Sequence, residues 1–292
     1  MVSESLRPSN RPPDMKRDLW PRHRMVGADY LYYILLAVAV GAFLYYLYTY
    51  REQALVYLPT LLGGTLVTLV VSVLSAILAI IFGLVGAISS LSRFRVLRWI
   101  TLIYVEVTRG TPLLVQLFLW YFGVRLVLSN LGFDPYTLAF NGMTVLQSNS
   151  LVPTDFNSYF YGVLGLSFNY GAYLTEVFRT GILSVEKGQT EAALSLGFNS
   201  GQTMRHVILP QAIRVIIPPL TNNFITLIQD SAFLLVMAIV ELEYVTTGLA
   251  LPQIDPNSKM FVFILGALFY LAMCYPLSLI ARTMERRLAA AR

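Results

Sequence analysis

Long apolar runs separated by short polar stretches occupy the chain from about residue 30 to residue 281. A helix needs about 20 predominantly apolar residues to cross the hydrocarbon core of a bilayer. Six segments reach that length: Leu31 to about Tyr50, about Leu58–Ser89, about Thr111–Ser129, about Ser158–Thr180, Val215 to about Val240, and about Met260–Ala281. The second is long enough to tilt, and the fifth reads as a span broken in its middle. The pattern predicts an all-α integral membrane protein with six transmembrane helices.

Polar stretches between the runs set the orientation. Lys and Arg collect on the side where chains retain them, the cytoplasm. Residues 1–29 carry Arg7, Arg11, Lys16, Arg17, Arg22 and Arg24; the second connection carries Arg93, Arg95 and Arg98; the fourth carries Lys187, Arg205 and Arg214; the end of the chain carries Arg282, Arg286, Arg287 and Arg292. The alternate connections are poor, with no Lys or Arg in Asn130–Asn157. Both termini are therefore expected in the cytoplasm. Residues 1–29 are long, polar and rich in proline, and lack a small-residue cleavage site. They read as a cytoplasmic tail, not as a removable signal.

The stretch Phe94–Thr108 reads as an interfacial helix on the cytoplasmic side. Thr111 is expected to cap the next crossing, with Pro112 at its first position. Glu106 and Arg109 stand three apart, and Glu176 and Arg179 repeat the spacing, so each pair is expected on one helix face. Two roles fit these pairs: anchoring of helix ends at the interface, or contact with a passing substrate.

Composition agrees with the pattern. Of the 292 residues, 56% are hydrophobic and 13% charged, and mean hydropathy is +0.63. Soluble domains carry about 25% charged residues, so the bilayer must be the solvent here. The net charge of +5 sits in the short connections, which argues against a nucleic-acid partner. The single cysteine, Cys274, excludes a disulfide within the chain. His23 and His206 stand far apart without companions, which argues against a metal site.

The most informative connection lies between the fourth and fifth spans. Gln189–Leu196 is rich in helix formers, and Gly197 stands where a left-handed residue ends a helix. Asn199 with Gln202 three residues on makes a capping pair for a second short helix, expected to stop near Leu209 because Pro210 follows. A two-helix elbow longer than a tight connection requires reads as a docking surface. In the fifth span, Asn222, Asn223, Thr226, Gln229, Asp230 and Ser231 recur at three- and four-residue intervals and are expected to form one polar stripe. Asp230 lies roughly 22 Å along the helix axis from the cytoplasmic end, so its carboxylate must face protein or water. The stripe reads either as the lining of a pathway or as a seam between helices or subunits. Pro218 and Pro219 are expected to open the helix at its start.

The elbow resembles the EAA loop of bacterial ABC importer permeases: Glu191-Ala192-Ala193, then Gly197, then Val207-Ile208-Leu209-Pro210, with valine at 207 in place of the usual isoleucine. The polar amino-acid uptake branch of that family is matched by Arg109-Gly110-Thr111-Pro112-Leu113-Leu114-Val115-Gln116. It is matched again by Tyr170-Gly171-Ala172-Tyr173-Leu174-Thr175-Glu176-Val177-Phe178-Arg179, by Pro218-Pro219-Leu220-Thr221-Asn222-Asn223 and by Gln229-Asp230-Ser231. The resemblance covers about residues 58–288. It implies a type I importer core of five helices, preceded by an additional span with its short external loop over 30–57 and followed by a tail over 289–292. The added span and the long external segment 131–157 depart from the family's compact members.

The resemblance further implies that Glu191, Ala192, Ala193, Gly197, Leu209 and Pro210 couple the chain to a separate cytoplasmic ATPase, present in two copies. Glu191 would pair with a basic residue of that ATPase or cap the neighbouring turn. A second permease, identical or homologous, and a periplasmic or lipid-anchored amino-acid-binding protein complete the assembly. The chain has no P-loop: Lys16, Lys187 and Lys259 are followed by Arg17, Gly188 and Met260. ATP and Mg are therefore expected on the partner, with no cofactor and no catalytic residue in this chain. A secondary transporter or channel subunit is the competing class. It commonly shows internal repeats, and no convincing repeat is visible. A membrane enzyme would need a nucleophile–base or metal constellation, for which His and Cys are too scarce.

Overall fold

The computed structural model describes residues 27–142 and 156–290. Most of the expected N-terminal tail, the middle of segment 131–157, and Ala291 and Arg292 lie outside the described residues. The chain divides into two units, residues 1–51 and 52–292. In the first, α1 (Gly27–Thr49) is a helix, and the Arg51 guanidinium lies 4.4 Å from the centre of the Tyr48 ring.

Among the described residues, the regular elements that follow are all helical. α2 (Arg51–Ser90) is followed by α3 (Arg95–Arg109), then by α4 (Leu113–Phe118) and α5 (Arg125–Asn130), joined by one wide π-type stretch at Leu119–Val124. α6 (Pro135–Gly142) precedes α7 (Phe156–Leu183). The elbow contains α8 (Lys187–Ser195) and α9 (Ser200–Thr203), and α10 (Leu209–Asp230), α11 (Leu242–Ala250) and α12 (Pro256–Ala290) complete the unit.

Among the described residues, four helical stretches are long and apolar enough to cross a membrane: Leu31–Thr49, Arg51–Ser90, Leu113–Asn130 and Pro256–Leu288. A fifth candidate is the pair Ser200–Met237 and Leu242–Ala250, bent by 59°. α7, with 28 residues, is long enough but not apolar enough. Its Ser158, Ser167, Asn169 and Thr175 are buried: Ser167 and Thr175 donate to carbonyls of the same helix, and Ser158 and Asn169 bond to Tyr121 and Gln116. The expected break in the fifth span falls near its end. After Asp230 the chain tightens into a 3-10 turn over Ser231–Met237, and Ala238 then adopts φ +56°, at the 59° bend that leads into α11.

Exposure is inverted relative to a water-soluble fold. On α3 the buried residues are Thr101, Val105 and Thr108, whereas Val96, Trp99 and Ile103 are exposed. Large apolar side chains such as Leu66, Ile77 and Leu84 point outward along α2. A surface this apolar is stable only against hydrocarbon, so the chain is a multi-pass membrane protein. Packing inside relies on close approach. α2 lays Gly83 and Gly86 against Leu174 and Thr175 of α7, where a Cβ on Gly83 would stand 2.6 Å from that of Leu174. Small residues at such a contact let helix backbones meet without a hydrophobic driving force.

The core lies around α7: Tyr161, Leu166, Tyr170, Leu174 and Phe178 pack with Val71, Ala79, Leu117, Ile216 and Leu227 from its neighbours. α10 packs on both α7 and α12. At the far end of α7, Asp134 accepts from the Asn157 amide at 2.6 Å and from the Thr137 hydroxyl. These bonds hold its carboxyl below the usual carboxylate range and tie α6 to the start of α7.

Candidate functional site

The elbow follows the local chemistry of its sequence closely. Gly197 takes φ +86°. Its N–H donates to Leu194 O at 3.0 Å, and the Phe198 N–H donates to Ala193 O at 3.1 Å. These are the paired bonds of a Schellman ending, which needs a left-handed residue at C′. Two residues on, the Asn199 side chain accepts from the Gln202 N–H at 2.9 Å, and the Gln202 side chain accepts from the Asn199 N–H at 2.9 Å. The capping box is therefore complete, and the corner between α8 and α9 is fixed by backbone geometry on both sides.

Pro210 does not end the second helix, contrary to expectation. The chain widens into a π-type turn over Met204–Ile208 and continues into α10, with Pro210 in the first turn of that helix. The Leu209 N–H bonds back to Met204 O in the wide turn, and the chain passes Pro210, which lacks an N–H, without ending the helix. The elbow is thereby joined to α10 without a flexible break.

Within the elbow, Ala193 is buried, whereas Glu191 and Ala192 are exposed. Leu194 (47% exposed), Leu196 (80%) and Phe198 (39%) form an apolar surface in a segment outside the membrane-length stretches. Leu209, at the head of α10, is 40% exposed.

The polar residues of α10 form two faces instead of one stripe. Asn222, Thr226 and Gln229 are exposed, at spacings of four and three. Asn223 and Asp230, seven apart, are half-buried. The Asn223 amide donates to Pro219 O at 2.8 Å, and Asp230 accepts from the Tyr170 hydroxyl of α7 at 2.7 Å. Ser231 is fully buried and donates to Ile228 O. At 100° per residue the six positions span too wide an arc for a single line. Pro218 and Pro219 lie within a continuous helix, contrary to the expected opening, and Thr221 bonds back to Ile217 O.

The two acid–base pairs differ. Arg179 donates to Glu176 at 2.7 Å in a forked contact. Glu106 and Arg109 form no ion pair, a correction to the expectation: the Arg109 guanidinium lies 5.4 Å from the centre of the Tyr173 ring. A ring face on α7 holds the cation while both side chains remain accessible. Thr111 does not cap α4 either; its hydroxyl bonds back to Val107 O. Gln116 braces this corner instead. Its amide donates to Thr108 O at 2.7 Å and to Thr111 O at 3.0 Å, and its carbonyl accepts from Asn169 at 3.1 Å.

Glu241 is a residue that the sequence reading missed. Its carboxylate is fully buried at the start of α11, where it accepts from the Tyr244 N–H at 2.7 Å, the Glu243 N–H at 2.9 Å and the Tyr270 hydroxyl at 2.9 Å. Thr68 of α2 accepts from the Leu242 N–H at 3.0 Å, so three helices meet at this cap. An acid just before the periodic run Leu242–Ala250 is the only local signal, and glutamate is not among the preferred capping residues.

Residues 79–290 match the model of the family described as the binding-protein-dependent transport system inner membrane component. The chain belongs to that family. This permease is 36% identical over 230 residues to the L-cystine transport system permease protein TcyB of Bacillus subtilis, covering 79% of this chain and 87% of TcyB. It is 34% identical over 190 residues to the glutamine transport system permease protein GlnP of Escherichia coli K12, covering 65% of this chain and 74% of GlnP. Among solved structures, it resembles the crystal structure of an amino acid ABC transporter with histidines, with 31% identity and a TM-score of 0.66 over 81% of this chain and 97% of that one. The inward-facing MetNI methionine ABC transporter shares the fold at 18% identity, with a TM-score of 0.55. This permease is thus the membrane-spanning subunit of an ABC importer. The family match begins within α2, so α1 lies outside it.

Proposed function

We propose that the permease carries polar amino acids across the inner membrane and is driven by a separate ATPase that grips the elbow at α8–α9. One observation carries this reading. A rigidly capped corner, continuous with α10, presents Leu194, Leu196 and Phe198 on a segment outside the membrane-length stretches. Exposed apolar side chains of this kind mark a protein contact, and Glu191 and Ala192 stand on the same surface. Two ATPase copies bind ATP and Mg and perform the hydrolysis. A second permease, identical or homologous, and a periplasmic or lipid-anchored binding protein complete the importer. In this reading α1 adds a sixth span to a five-helix core, and both termini are cytoplasmic. α10 transmits motion of the elbow to the bundle as one of two packings favoured by the partner's state.

The amino-acid substrate is supported by the names of the relatives and by the donors and acceptors on α10. Asn222, Thr226 and Gln229 line the pathway, and Asp230 is held beside it by Tyr170. The test is copurification of the full chain with its ATPase, followed by uptake of labelled cystine and glutamine in proteoliposomes supplied with binding protein. ATP-dependent uptake by the complex is expected. Solute flow through the permease alone, without nucleotide, would overturn the reading in favour of a channel or secondary transporter.

A further inference from the structure

An apolar cleft of about 380 Å³ lies between α2, α7, α10 and α12. Val73, Ile77, Leu220, Phe224, Leu277 and Ile280 form much of its wall. Val73, Ile77 and Ile280 are also exposed at 45–52%, so the cleft opens sideways onto the apolar face of the bundle. Three polar side chains reach it: Thr221, Asn223 and Tyr170. Each is already engaged, with Ile217 O, Pro219 O and Asp230 respectively. The rest of the wall is apolar, so a water-soluble solute would lose most of its hydration for little in return, whereas a hydrocarbon chain would lose nothing on entering.

The charge at one end says what the head of that chain must be. On α10, Arg214 precedes the cleft residue Thr221 by seven positions; on α12, Arg287 follows Ile280 by seven. Seven residues are two turns, so each arginine shares the face of its cleft residue. The helices run antiparallel, and the Cys274 thiol meets Ile225 O at 4.0 Å. From that level, Arg214 lies 11 residues back along α10 and Arg287 lies 13 residues on along α12, roughly 17 and 20 Å at 1.5 Å per residue. The two guanidinium groups therefore stand at similar heights, at the elbow end of the cleft. Both are exposed, and neither forms an ion pair among the described residues.

We propose that this cleft is a binding site for an anionic phospholipid, with one acyl chain between α2, α10 and α12 and the phosphate between Arg214 and Arg287. Arginine suits this role because its fork of donors matches a phosphate. The occupied cleft would couple α10, the helix continuous with the elbow, to α2 and α12. The site itself is independent of which solute is carried.

The test is native mass spectrometry of the full chain in detergent, titrated with dioleoyl phosphatidylglycerol or dioleoyl phosphatidylcholine. Wild type is expected to retain phosphatidylglycerol at least fivefold better than phosphatidylcholine. The surface variant Arg214→Gln/Arg287→Gln should bring the two to the same level without a change in melting temperature, and Ala76→Phe, which fills the cleft, should lower retention of both lipids. Equal retention of the two lipids by wild type would overturn the proposal. So would unchanged phosphatidylglycerol binding in the double arginine variant, which keeps the test decisive if the filled cleft does not fold. A third contrary result would be a shift from dimer to monomer in Ala76→Phe with lipid retention intact, which would assign the cleft to a second copy of the chain.

Discussion

Gly197 offers the sharpest perturbation of the elbow, because its cost has a single source. A Cβ built at this position meets no atom within 4 Å, so replacement creates no clash within the chain. What remains is the backbone conformation at φ +86°. An L-residue with a Cβ in the left-handed region pays about 1–2 kcal/mol, and a β-branched side chain is a rarer occupant still. Since 1.4 kcal/mol is a tenfold change in an equilibrium, Gly197→Val should depopulate the capped corner by about tenfold or more, and Gly197→Ala by slightly less. Asparagine is several-fold enriched at positive φ, so Gly197→Asn should retain most of the corner. Hydrogen exchange at the amides of residues 197 and 198 reads the two Schellman bonds directly, and ATP-driven uptake in proteoliposomes reads the consequence. Protection and uptake should fall together in the order Gly, Asn, Ala, Val while expression in the membrane stays level. Wild-type exchange and uptake in Gly197→Val would refute the reasoning. An Asn variant as impaired as the Val variant would refute it too, by showing that side-chain bulk matters and φ does not.

Other outcomes follow from the same geometry. Glu241→Ala strands the Tyr270 hydroxyl and two backbone N–H groups, at about 1–3 kcal/mol for each orphaned buried donor; a marked fall in the melting temperature of the detergent-solubilised protein is expected, and an unchanged value would contradict the role of this cap. Asp230→Asn should preserve insertion and ATPase binding yet reduce uptake, measured as initial rate with labelled substrate; a normal rate would remove Asp230 from the pathway. Gly86→Leu forces a branched side chain into the contact with Thr175 and should cost about 1–3 kcal/mol through overpacking, seen as loss of folded protein in size-exclusion chromatography, whereas a stable variant would show that α2 and α7 do not approach as closely as described.

Much of this was legible in the sequence where a short-range rule acts alone. Gly197, Asn199 and Gln202 are bound by backbone geometry within one turn, and the structure forms both predicted motifs. Apolar runs announced most of the membrane-length helices for the same reason. Pro210 misled because a proline removes one N–H but does not fix the pitch of the preceding turn, and a π-type turn carries the helix past it. The stripe on α10 misled because three- and four-residue spacings drift around the axis, so Asn222 and Asp230 end on different faces. α7 holds polar residues that only tertiary contacts satisfy, as Asn169 does with Gln116. Glu106 and Arg109 have the right spacing for a pair, but Tyr173 on another helix competes for the cation. Glu241 depends on Thr68 and Tyr270, far away in sequence, and no local pattern reveals that meeting.

The claim that a soluble motor grips the elbow can be tested by placing a cysteine on it. Cys274 is buried, so Ser195→Cys, on the exposed surface of α8, introduces one accessible thiol among the described residues. Ile254→Cys, at the opposite end of α10–α12 and 98% exposed, is its control. With the copurified ATPase present, Ser195→Cys should cross-link to it with a yield that changes on ATP addition, and should escape an impermeant maleimide applied from the periplasmic side, where Ile254→Cys reacts. Labelling of Ser195→Cys from the periplasm, or cross-linking of the ATPase to Ile254→Cys instead, would contradict the account.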